Sequence, residues 1–255
     1  MPKRTNTLIT GASSGLGAGM ARHLAASGHH LALTARRVDR LDALKAELEA
    51  ANPSIKVVVH ALDVNDHDQV FEVFAAASAD LGGLDRVIVN AGLGKGGRIG
   101  TGKFSANKET AETNFIAAMA QCEAAMEEFY ATQSGHLVVI SSMSAMRGMP
   151  SSMSAYAATK AAVAHLAEGI RMDLVGRKKF SDIKVTTLYP GYIASEMNDG
   201  VEQETKLMVD TETGTRAMVK LIEKEVENAA VPTLPWAPLG FVMRHGPRSM
   251  VRKLV

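Results

Sequence analysis

The chain has 255 residues, 46% of them hydrophobic, a formal net charge of +1 and one cysteine, Cys122. That length suits one α/β domain with an ample core, and the near-neutral balance argues against a nucleic-acid binder or a polybasic membrane protein. A lone cysteine excludes an intrachain disulfide and fits a reducing compartment, so a cytoplasmic location is expected. No run of about 18 apolar residues marks a membrane span. Met1-Pro2-Lys3-Arg4 leads almost directly into a strand, which is not how a signal peptide reads.

Short apolar runs alternate with longer helical patterns along the whole chain, the pattern of a doubly wound parallel sheet with helices on both faces. Strands are expected at Thr7–Thr10, Leu31–Ala35, Val57–His60, Arg86–Asn90, His136–Ser141, Lys184–Tyr189 and Ala229–Thr233. Helices are expected near 16–27, 39–51, 66–80, 106–132, 153–176 and 213–227. Nothing in composition splits the series, so residues 1–255 read as one domain. Cys122 lies in an Ala-rich helical pattern and reads as a small core side chain.

The first strand runs into Thr10-Gly11-Ala12-Ser13-Ser14-Gly15-Leu16-Gly17, which opens the first helix. Glycines let backbone approach a pyrophosphate, and free N–H groups at a helix start attract the anion. After the second strand, Ala35 is followed by Arg36 and Arg37, where an NAD-preferring fold would place an acidic residue. Guanidinium forks match a 2′-phosphate, so NADP(H) is preferred and NAD(H) is the alternative. Asp63-Val64 follows the third strand; Asp63 suits contact with the adenine ring, while Asn65 or Asp66 suits capping of the next helix. No metal site is read here, because the acidic cluster lacks the spacing of a calcium loop. Asn90-Ala91-Gly92 opens a Gly-rich loop that suits a cleft wall. Asn114, inside a helical pattern, is either a structural hydrogen-bonding residue or part of a proton path.

Tyr156 and Lys160 stand four apart on a helix and so share a face. An ammonium beside a phenol favours phenolate, so the Tyr156 pKa is expected to fall below about 10. Ser141 and Ser142 end the strand before that helix, at the sheet edge where ligands of such folds sit.

These residues resemble those of the short-chain dehydrogenase/reductase family. TGASSGLG at 10–17, Asp63-Val64, Asn90-Ala91-Gly92, Asn114, Ser142, Tyr156, Lys160 and Pro190-Gly191 occur in the family's order and approximate spacing, over nearly the whole chain. The resemblance implies a Rossmann-type sheet of about seven strands in the order 3-2-1-4-5-6-7, and a nicotinamide-dependent oxidoreductase acting on a carbonyl or alcohol. It implies Tyr156 as acid/base, Ser142 holding the substrate oxygen, and Lys160 bonding the nicotinamide ribose and lowering the Tyr156 pKa. Asn114 would hold a water linking Lys160 to solvent. Pro190, Gly191, Ile193 and Ser195 would lie beside the carboxamide, Ser195 standing where Thr is more usual. Two departures stand out. Ser142 is one residue further from Tyr156 than is usual, leaving Ser141 and Ser144 as alternatives, and Ser14 stands where many NADP-dependent members carry a basic residue.

Met143, Met149, Met153, Tyr192, Met197 and Met208 flank the expected site and suggest an apolar small-molecule substrate, steroid-like, retinoid-like or acyl, ordinary packing being the competing reading. Residues 192–212 are expected to form a substrate lid. The tail, 234–255, mixes apolar and basic residues; prolines at 235, 238 and 247 are expected to interrupt any long helix, and packing against the body or a neighbouring subunit is favoured over weak membrane contact. The resemblance makes helices 106–132 and 153–176 interfaces of a homodimer or homotetramer. The competing function is a non-catalytic dinucleotide-binding regulator or scaffold, disfavoured because Tyr156 and Lys160 are both present.

Overall fold

The computed structural model describes residues 4–194, 196 and 207–252. Seven parallel strands form one sheet in the order β3-β2-β1-β4-β5-β6-β7. They are β1 (Asn6–Thr10), β2 (His30–Ala35), β3 (Val57–Ala61), β4 (Arg86–Val89), β5 (Ser134–Ile140), β6 (Asp182–Pro190) and β7 (Asn228–Val231). Strands such as Arg86-Val87-Ile88-Val89 are buried on both faces, which is why they read as continuous apolar runs.

The helices are α1 (Gly15–Ala26), α2 (Val38–Ala51), α3 (His67–Leu81), α4 (Phe104–Ala111), α5 (Ala117–Thr132), α6 (Met153–Leu174), α7 (Thr211–Glu223), α8 (Thr233–His245) and α9 (Arg248–Val251). Leu41, Leu44 and Leu48 form the buried stripe of α2, each worth roughly 1.5–3 kcal/mol relative to exposure. Asp66 caps α3 by accepting from the Gln69 N–H at 3.2 Å, and Gly82, at φ 79°, ends it. One core layer joins α1, α2 and α7 to the sheet; the other joins α3, α5 and α6, with Cys122 buried in it.

Two expectations change. The helix read as 106–132 starts at Phe104 and is broken by a π-helical turn, Glu112–Ile116, that carries Asn114. Periodicity counts apolar positions and does not register one wide turn. In the tail, Pro235 and Pro238 do not prevent a helix. Leu234 is non-helical (φ −107°, ψ 133°), so the helical part of α8 starts at Pro235 and both prolines occupy its first turn. Pro238, the fourth residue of that helical part, removes only the first bond of the ladder, the one to the Leu234 carbonyl, and leaves the turns beyond it intact.

At the amino ends of the strands, opposite the loops that carry the motifs, lies a buried ionic layer. Arg4 donates to Glu225 Oε1 at 2.8 Å, Ser134 Oγ at 2.8 Å and the Asp182 carbonyl at 2.6 Å. Arg86, 1% exposed, donates to Glu223 Oε1 at 2.6 Å and to His136 Nδ1 at 3.0 Å.

Candidate active site

Every strand ends on the same edge, and the loops there enclose a cleft of about 960 Å³, the size of a small-molecule site. Its floor is the turn between β1 and α1. Gly11 sits at φ +66°, and a Cβ on it would come within 2.9 Å of Ala91 Cα. A Cβ on Gly17 would lie 2.4 Å from the Gly11 carbonyl oxygen, so only glycine lets the helix start pack this closely. Ser14, the N-cap residue, makes no side-chain cap bond. The first N–H groups of α1 are therefore free for an anion. The Thr10 hydroxyl accepts from the N–H groups of Asn90 and Ala91, both at 3.1 Å, which ties β1 to β4 beneath the cleft.

Arg36 and Arg37 leave β2 at the far end of this floor. Arg37 donates to Ser14 Oγ at 2.7 Å and to Ser13 Oγ at 3.2 and 3.3 Å, and pairs with Glu196 at 3.0 Å. Arg40, one turn into α2, also bonds Glu196. The two guanidinium groups hold the Glu196 carboxyl down at about 2. Arg36 is exposed and has no partner among the described residues. Asp63, Val64, Ala91 and Gly92 line the wall above.

At the other end of the cleft the Tyr156 hydroxyl lies within interaction reach of Ser142, and both line the cavity. Of the competing serines, Ser141 Oγ donates to the Lys160 carbonyl at 2.7 Å; Ser144 gives its backbone N–H to Ser142 Oγ at 3.2 Å, and its own hydroxyl is buried without a partner among the described residues. Lys160, 5% exposed, donates from Nζ to the Ile140 carbonyl at 2.9 Å and lies 5.8 Å from the Tyr156 ring centroid. Burial pushes the ammonium down to about 8. The expected fall of the Tyr156 pKa is not found: burial raises it, and the Ser142 hydroxyl only partly opposes that rise. Nζ is held by the Ile140 carbonyl, and desolvation dominates.

Asn114 is 1% exposed; its Oδ1 accepts from the Leu93 N–H at 2.7 Å and its Nδ2 donates to the Leu93 carbonyl at 2.9 Å. A Cβ on Gly92 would sit 3.3 Å from Asn114 Oδ1 and 3.5 Å from Lys160 Nζ, so both polar groups converge on that glycine. The two Leu93 bonds brace the loop after β4.

Pro190 and Gly191 line the cleft, with Ile193 buried behind and bridged to Val209. Ser195 and Met197, and with them most of the expected lid, lie outside the described residues. Met143, Met149, Met153 and Tyr192 form apolar walls. Three further wall residues, Trp236, Leu239 and Met243, come from α8. A Cβ on Gly191 would overlap the Trp236 ring at 2.0 Å, so the tail's indole lies flat against this turn. The sequence favours the tail packing on the body or a neighbouring subunit but does not place it in the cleft, and it singles out neither Arg40 nor Glu196. The Arg40 signal was present, one helical turn beyond the arginine pair.

The sheet order, the glycine turn at a helix start and the Ser-Tyr-Lys grouping at the carboxyl edge together define a Rossmann-type fold with a dehydrogenase-like site. Residues 5–206 match the short chain dehydrogenase family. An uncharacterized oxidoreductase of Mycobacterium tuberculosis is 54% identical over 250 residues, 98% of this chain and 97% of that protein. An alcohol dehydrogenase from the archaeon Thermococcus sibiricus, solved with 5-hydroxy-NADP, is similar at a TM-score of 0.77 and 28% identity, over 89% of this chain and 96% of that one. An NADPH-dependent 3-quinuclidinone reductase from Rhodotorula rubra is similar at a TM-score of 0.79 and 25% identity, over 90% of each chain. The chain belongs to the short-chain dehydrogenase/reductase family, a family of oxidoreductases.

Proposed function

We propose that the protein is an NADP(H)-dependent oxidoreductase that interconverts a carbonyl and an alcohol on an apolar small molecule. The observation that carries this reading is the grouping of Ser142, Tyr156 and buried Lys160 in the same cleft as the glycine turn and Arg37. The residues fit a dinucleotide: the close approach at Gly11 and Gly17 leaves room for a pyrophosphate at the uncapped start of α1. A bound nicotinamide would exchange a hydride with the substrate carbon. Ser142 would orient the substrate oxygen and offset the charge that develops there. Tyr156 would donate the proton in reduction and take it in oxidation. Lys160, held by Ile140, would present a cation next to that proton's path.

Arg37, Ser13 and Ser14 form a cationic, hydroxyl-lined notch suited to a 2′-phosphate, with Arg40 beside it. That favours NADP(H) over NAD(H). Exposed apolar side chains on and beside α4 to α6, Phe104, Ile116, Met119 and Met172, favour a homo-oligomer.

The test is NADPH oxidation, with NADH in parallel, against ketones and aldehydes graded by size and apolarity. The wild type is expected to turn over apolar members of the panel. Tyr156→Phe should lose about 10²–10⁴-fold while still binding NADPH. Equal activity of that variant would overturn the assignment, and NADPH binding without turnover of any member would favour a binding protein.

A further inference from the structure

We infer that the outer face of α8 and α9 docks on an anionic lipid surface. No acidic side chain occurs between Ala229 and Val255, whereas Arg244, Arg248, Arg252 and Lys253 all do, in a chain whose net charge is only +1. The segment has two faces. Trp236, Gly240 and Met243 are buried against the body. On the opposite stripe Leu234 is 75% exposed and Phe241 68%, and Met250 on α9 is 48% exposed. Arg244, Arg248 and Arg252 are exposed beside them, and none has a carboxylate partner among the described residues.

Large apolar side chains at a helix surface interleaved with unpaired cations suit an interface of phosphate headgroups over acyl chains. A second copy of this chain docked face to face about a two-fold axis would set the same arginines against each other. A nucleic acid would satisfy the arginines and leave Leu234 and Met250 without a role.

The inner face ties docking to the cleft. Trp236, Leu239 and Met243 line it, and Arg147 donates to the carbonyls of Met243, at 3.3 Å, and Gly246, at 2.5 Å, fastening the end of α8 to the turn that follows Ser142. A docked helix therefore holds the cleft about 10 Å, one helix diameter, from the headgroups. Docking requires no turnover, so it and the proposed chemistry fail separately.

The experiment is co-sedimentation of the full chain with vesicles of phosphatidylcholine alone or of equimolar phosphatidylcholine and phosphatidylglycerol. The wild type is expected to pellet with the anionic vesicles only, and to be released by high salt. Arg244→Glu combined with Arg248→Glu should weaken binding by more than tenfold, from about fivefold for each cation lost. Phe241→Ser should weaken it less. Both variants should keep the wild-type thermal midpoint and the wild-type NADPH affinity. Absence of pelleting with anionic vesicles, or pelleting that survives the double reversal, overturns the inference. So does a shift of either variant to a smaller species in size-exclusion chromatography, which would assign the face to a second copy, and so does tight binding of duplex oligonucleotide in place of vesicles.

Discussion

The proposed carbonyl reduction would consume a proton, and Lys160, assigned a place beside that proton's path, is pushed down to about 8 by burial. The ammonium is present below that pH and lost above it. In reduction kcat/KM should therefore fall as pH rises through about 8, and in oxidation it should rise; a flat profile across pH 7–9 counts against Lys160. Lys160→Met removes this inflection but also removes the bond to Ile140, so its rate has to be read beside its thermal midpoint. At the other end of the cleft, Arg37→Ala should raise the KM for NADPH about 10–100-fold, the worth of charge-assisted bonds to one phosphate, and leave that for NADH nearly unchanged. Arg40→Ala should shift it in the same direction by less. Gly17→Ala forces a methyl to within 2.4 Å of the Gly11 carbonyl. It should cost about 1–3 kcal/mol in urea unfolding and abolish NADPH binding together. These residues were legible as candidates because their spacings occur together in one chain: a glycine turn opening a helix, a Tyr and a Lys one helical turn apart, an arginine pair after a strand. The direction of the Tyr156 pKa was not legible, since desolvation depends on what surrounds the phenol and not on its nearest neighbour in sequence.

At the scale of elements, the seven strands were readable because buried parallel strands leave continuous apolar runs; their order was not in those runs and came from the resemblance to the short-chain dehydrogenase/reductase family. The π-turn was hidden because it keeps a helical pattern on both sides, and α8 was hidden because its prolines fall in a first turn that sequence cannot locate. Trp236→Ala tests what α8 does: it should destabilise by about 3–5 kcal/mol and change the ranking of substrates, since the ring also lines the cleft. The ionic layer at the amino ends of the strands sets the response to acid. Burial, helped by the charges of Arg86, Arg4 and Lys184, holds His136 well below its ordinary 6.5. Burial pushes Glu223 up, but the bond from His29 and the charge of Arg86 outweigh it and hold the carboxyl at about 2, against an ordinary 4.5. In both cases the unfolded chain binds more protons than the folded one as pH falls, the imidazole below 6.5 and the carboxylate below 4.5. The thermal midpoint should decline from about pH 6.5 downward, and Glu223→Gln should flatten the part below 4.5 while lowering the midpoint at pH 7. A midpoint constant from pH 7 to pH 4 would contradict the layer's role.

For the whole molecule, the exposed apolar side chains around α4 to α6 give a concrete expectation. Sedimentation velocity should show a dimer or larger, and Met119→Lys with Met172→Lys should shift it toward monomer; a wild-type monomer at micromolar concentration would exclude the reading. The Arg4 contacts have a different consequence, for synthesis on the ribosome. Arg4 precedes its partners Ser134, Asp182 and Glu225 by 130, 178 and 221 positions. At roughly 5–20 residues per second, that last gap is about 10–45 s of elongation. Through that interval β1 can pair with β2 and β4 while the guanidinium lacks its last partner, and the open edge of the sheet passes from β4 to β5 and then to β6 as each strand is made. The sheet closes around Arg4 only once β6 and the turn before β7 have been made.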